Sequence, residues 1–274
     1  LPAGLHRLQV ELNLPLLAIA ALVLHAHLAG QDGARVLFAS RDARYFHAVF
    51  DAVAAAAGQP GPKTSYWHTS RIARTRGEAD YLAYCRELIG EEALLVDLCG
   101  TGASLARLRQ LLGMTDEQAP VFMCQRVDEP ALQSALAERY GLAQMPEPTA
   151  LWSNRDLVGN EVLELLNYVP EGMTLGAARV AGGFVPLRDE LEFDAQQLTQ
   201  VRDQARFTAE FAANLRGALV PAVFDEGRGE TPRLVAALAA VVPGLRDEIE
   251  TLLVSWLGAH REREAAVAGQ LGRA

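Results

Sequence analysis

The chain has almost no lysine. Of its 25 basic residues only Lys63 is a lysine, so no Gly-Lys-Ser/Thr phosphate loop exists, and any anion must be held by arginines and backbone amides. Cysteine is nearly as scarce. Cys85, Cys99 and Cys124 are odd in number and lack CxxC spacing, which excludes a disulfide framework or a zinc cage and suits a reducing cytoplasm. No HExxH, EF-hand loop or Ser-His-Asp order occurs. His25 and His27 lie two apart, so a helix points them in different directions. His47 and His68 read as packed or hydrogen-bonded side chains. The apolar run Leu14 to Leu24 is short for a bilayer, and no basic segment precedes it, so the expectation is a core helix without signal peptide or membrane insertion. The sequence starts at Leu1 without a methionine, which suggests a piece of a longer polypeptide whose other domains would be its partners.

Half of the 274 residues are hydrophobic, enough to bury the core of one large domain or two small ones. The formal charge of −9 argues against a broad nucleic-acid surface while leaving local arginine clusters free to bind a small anion.

Strand and helix patterns alternate over the first 150 residues. A helix over 8–29 precedes the strand RVLFAS (35–40), a helix ending at Gly58, the strand SYWHTS (65–70) and the helix ADYLAYCRELIG (79–90). ALLVDL (93–98), SLARLRQLLG, VFMCQRV and PALQSALAERYG continue the series. The fold class expected is therefore α/β, a parallel sheet flanked by helices, with a phosphate-binding-like domain over 1–150. A mainly helical region, 151–274, would pack on it. There NEVLELLNYV, 194–217 and 231–268 look helical, GAARVAGGFVPL reads as an irregular segment or hairpin, and FDEGRGETP as an exposed loop.

Ligands of such sheets bind beyond the carboxyl ends of the strands. Three polar clusters lie there. Asp97 is followed by Gly100, Thr101, Gly102, Ala103 and Ser104; the amides and hydroxyls suit a phosphate, and Asp97 a sugar hydroxyl or Mg²⁺. The plainer reading is a tight turn that needs glycine, with Asp97 capping it. Ser40, Arg41 and Asp42 offer bidentate phosphate contact and acid-base capacity, or simply a surface ion pair at a helix start. Ser70 and Arg71 could take further phosphate charge, and on a helix Arg71 and Arg74 would share a face, while Arg76 reads as solvated. Glu161 and Glu164, three apart, suit an acid/base pair, metal ligands or a solvated helical face.

The order strand, polar loop, helix, arginine-bearing strand, then strand-Asp-Gly/Thr/Ser-helix resembles the type I phosphoribosyltransferases. That resemblance implies that RVLFASRDA stands at the pyrophosphate loop and LLVDLCGTGASL at the phosphoribosyl-pyrophosphate loop. The family's second adjacent acid is replaced here by Leu98. The blocks PLLAIAALVLHAHLAGQDGARVLFASRDARYF, YWHTSRIA, LLVDLCGTGAS and NEVLELLNYVPEG also resemble the region following haloacid dehalogenase-like domains in large bacterial proteins associated with surface-polysaccharide biosynthesis. Ala43 and Cys99 stand where that region has glycine. The dehalogenase Asp-x-Asp nucleophile itself is absent. These resemblances imply a phosphoribosyltransferase-like domain that binds a phosphorylated sugar or nucleotide, with glycosyl or phosphoribosyl transfer assisted by Mg²⁺. In that reading Asp97, Arg41 and Asp42 are catalytic. The alternatives are a non-catalytic module of a multidomain polysaccharide-biosynthesis protein and a hydrolase acting through Asp42 or Asp97.

Overall fold

The computed structural model describes residues 2–31, 33–58, 61–190, 194–218 and 232–256. The expected loop 224–232 lies almost wholly outside them, as does the part of the 231–268 helix beyond 256. The N-terminal apolar segment is one run of helix: α1 (Ala3–Leu8), a π-helical turn (Gln9–Asn13) and α2 (Leu14–His27). Pro15 has no N–H for the carbonyl one turn back, and the widened turn falls where that bond is lost. The run from Ala3 to His27 is long and apolar enough to cross a membrane by length and composition. Here it is core: Leu16, Leu17, Ala20, Ala21 and Leu24 are fully buried, and α2 packs on α3.

Five parallel strands follow: β1 (Arg35–Ala39), β2 (Lys63–Trp67), β3 (Leu94–Gly100), β4 (Val121–Arg126) and β5 (Thr149–Ser153). Their order is β2-β1-β3-β4-β5. Continuous apolar sequence places β1, β3 and β4 in the centre, covered on both faces, while the polar starts of KTSYW and TALWS occupy the edges. Helices α3 (Arg44–Ala57), α4 (Arg71–Arg76), α5 (Ala79–Ile89), α6 (Ala103–Leu112) and α7 (Pro130–Tyr140) alternate with the strands. Alternation along β1 divides the core in two. Val36 and Phe38 join α2, α3 and the C-terminal helices on one face, and Leu37 and Ala39 join α5 and α6 on the other.

After β5 come α8 (Asn160–Leu166), the antiparallel hairpin β6 (Thr174–Val180) and β7 (Gly183–Arg188), α9 (Ala195–Ala218), and helical stretches 232–241 and 246–256 joined by a 3₁₀ turn. The fold is thus α/β with a helical C-terminal part. The boundary expected at residue 150 falls inside β5, and one core cluster runs from Leu5 to Trp256. β5 escapes the sequence pattern because Pro146 and Pro148 disguise its start as a turn. The segment 176–187, open between irregular and hairpin, is the β6–β7 hairpin.

Candidate functional site

The chain leaves β1 outward to β2 and then crosses back to β3, so β1 and β3 are neighbours whose following loops diverge. Such a point of reversal opens a crevice at the carboxyl edge of the sheet. The segments Ser40 to Asp42 and Gly100 to Ser104 leave the sheet there.

Ser40 is engaged in holding the edge together. Its amide donates to the Trp67 carbonyl at 2.9 Å, and its hydroxyl donates to the Thr69 carbonyl at 2.7 Å and accepts from the Thr69 amide at 2.9 Å. The Ser40–Arg41 peptide is cis. Arg41 is buried rather than displayed: Nη1 donates to the Tyr168 hydroxyl at 3.0 Å, and the guanidinium carbon lies 4.7 Å from that ring's centre. The Tyr45 hydroxyl donates to the Tyr168 carbonyl and fixes the ring's backbone. Ala43 is fully buried in the core.

Ser70 lies three residues past the end of β2, not at it. It caps α4, accepting from the Ala73 amide at 3.1 Å while its hydroxyl donates to the Thr174 carbonyl of β6. Arg71 is exposed and Arg74 buried, so the two do not share an environment. Arg74 Nη1 donates to Asp97 Oδ2 at 3.0 Å, while Asp97 Oδ1 accepts from the Leu98 amide. Asp97 itself lies within β3, not at its end. Burial holds its carboxyl above the usual carboxylate range, with Arg74 and the Leu98 amide pulling it back.

The loop after β3 has the geometry that its sequence suggests. Gly100 has φ 145° and Gly102, at the N-cap of α6, has φ 76°, values that favour glycine. Thr101 Oγ1 accepts from the Ala103 amide at 3.3 Å. The amides of Leu105 and Ala106 both donate to the Gly102 carbonyl. Among the described residues, the amides of Thr101, Gly102 and Ser104 donate to no carbonyl, which leaves three donors at the positive end of a helix of 10 residues.

Three carboxylates lie within electrostatic reach of Cys99. Burial first, then Glu164, Asp42 and Asp97, push the Cys99 thiol well above its ordinary range, which favours the protonated thiol. Glu164 also acts on Asp97, so one of the two expected glutamates lies within electrostatic reach of it. The Mg²⁺ expected at Asp97 does not fit its surroundings, because a guanidinium occupies one oxygen and an amide the other. No group of three His, Cys, Asp or Glu side chains among the described residues is arranged to hold a metal ion.

Sequence reasoning overlooked Tyr168, which carries no motif and meets Arg41 across 127 residues. It also left Arg74 on a shared face with Arg71; a buried partner for Asp97 is the role the structure gives it. Two cavities, of about 610 and 170 Å³, lie away from this edge, beside α1 and α9. No protein-family model matches the chain, and no curated protein matches it.

Proposed function

We propose that this chain binds a phosphorylated sugar or nucleotide at the carboxyl edge of its sheet, as a phosphoribosyltransferase-like domain. The observation that carries the reading is the set of three amides without carbonyl partners at Thr101, Gly102 and Ser104, on the loop that leaves β3 next to the strand whose end carries Arg41. In a glycosyl or phosphoribosyl transfer, Arg41 would leave Tyr168 and stabilise the departing phosphate, with Asp42 nearby for proton transfer. Asp97 would act indirectly, holding Arg74. No step is given to Mg²⁺. The reading places the protein in the cytoplasm, where its three unpaired cysteines stay reduced.

Calorimetric titration with phosphoribosyl pyrophosphate and with nucleotide sugars, each with and without Mg²⁺, tests this. Saturable binding that weakens at least about tenfold in Arg41→Ala supports it, a loss on the scale of one charge-assisted contact. Absence of binding for every ligand overturns it.

A second reading, a non-catalytic module of a multidomain polysaccharide-biosynthesis protein, is favoured by the closed state of two of the expected groups: Arg41 is stacked on Tyr168 and Asp97 is bonded to Arg74. In that case Arg41→Ala would leave the parent's activity intact.

A further inference from the structure

The cavity of about 610 Å³ lies between α1, the start of α9 and the helix 246–256, far in sequence from every group discussed above. Its size falls in the range of small-molecule sites, roughly 300–1,000 Å³. Leu5, Leu8, Leu252 and Trp256 form an apolar floor, each 8 % exposed or less. Among the described residues its rim carries one sign of charge: Asp194, Asp247 and Glu248 line it, with no lysine or arginine. Arg7 Nη1 donates to Glu248 Oε1 at 2.6 Å and offsets that charge from outside the lining. Asp194 and Asp247 therefore set the local field.

We propose that this cavity binds a small organic cation, an ammonium group carried on an apolar body. The apolar part lies against Leu252 and the Trp256 ring and gains burial, while the ammonium meets the carboxylates of Asp247 and Asp194. A phosphate or carboxylate ligand is repelled by the same rim. The inference does not rest on the reading given to the sheet edge, although the centre of the Trp256 ring lies 6.4 Å from that of Tyr168.

The test uses the full chain and three probes of matched size: 2-phenylethylamine, 2-phenylethanol and 3-phenylpropionate, followed by tryptophan fluorescence and calorimetry. The amine is expected to bind saturably, about tenfold tighter than the alcohol and less tightly as salt rises, as one or two exposed charge contacts require. The acid should not bind. Because Trp67 and Trp152 are buried elsewhere, the fluorescence change should vanish in Trp256→Phe while the heat of binding persists. Asp247→Asn and Asp194→Asn should each weaken the amine about fivefold and leave the alcohol unchanged. Asparagine at 194 keeps the cap that the Gln197 amide uses. Ser255→Trp, on the exposed rim, should block every probe. Equal affinity for amine and alcohol, amine binding indifferent to salt or to both Asn variants, or no binding by the folded wild type would overturn the proposal.

Discussion

Gly102 and Asp97 are the two residues at which the site is most sensitive to a single atom. A Cβ on Gly102 would sit 3.1 Å from Pro146 Cγ on a backbone already at φ 76°. Gly102→Ala is therefore expected to cost about 1–3 kcal/mol in urea unfolding, with anion affinity falling in parallel as Thr101 and Ser104 shift. Gly100 faces open space at φ 145°, so Gly100→Ala should show only the backbone part of that cost. At Asp97 the effect is electrostatic. Asp97→Asn leaves the Arg74 charge buried without its partner, a loss of roughly 3–5 kcal/mol. Asp97→Asn combined with Arg74→Met should recover most of it, and a double variant no more stable than Asp97→Asn would show that the pair is not what the pocket depends on. Arg74 Nε already lacks a partner, consistent with a guanidinium oriented for one carboxylate.

Among the elements, the π-helical turn does more than accommodate Pro15. It carries Gln9 and Asn13, both fully buried, toward the end of α8. Gln9 Nε2 donates to the Leu166 carbonyl at 2.7 Å, and Asn167 Nδ2 donates to Asn13 Oδ1 at 2.7 Å and to the Leu163 carbonyl at 2.9 Å. These bonds fix the residue immediately before Tyr168, and so the ring on which Arg41 rests. Asn13→Leu should leave Asn167 and Gln9 short of partners, costing about 1–3 kcal/mol for each unsatisfied group. The measurement is thermal unfolding together with hydrogen exchange at α8. Unchanged protection there would mean that the polar cluster does not position the helix. The β6–β7 hairpin is tied at the neighbouring edge by another polar cluster: Arg44 and Arg188 bracket Glu171, and Arg188 Nη2 lies 3.0 Å from His68 Nδ1.

For the whole molecule, the partly buried His47 and His68 contribute to acid sensitivity. Burial lowers the His68 pKa below 6.5, with Arg188 and Arg44 adding to it against Glu171. Burial also lowers that of His47, against the opposing pull of Asp51. In both cases the unfolded chain binds protons at higher pH than the native one. Their contribution to stability is thus complete above the unfolded value of 6.5 and is lost as pH falls through the lower native values. Urea midpoints should drop between about pH 7.5 and about pH 5, and His68→Gln should flatten that slope. An imidazole of His68 titrating at or above the ordinary histidine value would contradict this.

Composition and periodicity were enough to determine the class of this fold. Central strands such as LLVDL must be covered on both faces because they are apolar throughout, and the glycines after β3 are legible because few other residues accept positive φ. Local sequence also marked the arginines and carboxylates at the strand ends. Their states were decided only by tertiary structure. Whether Arg41 faces a ligand or Tyr168, whether Asp97 meets a cation or Arg74, and whether Ser70 is open or capping each depends on a side chain or backbone group brought there by packing. Those partners, except for the cap of Ser70 within α4, lie 23 to 127 residues away. Periodicity reports which face of an element is buried. It carries no information on which distant polar group will be waiting there.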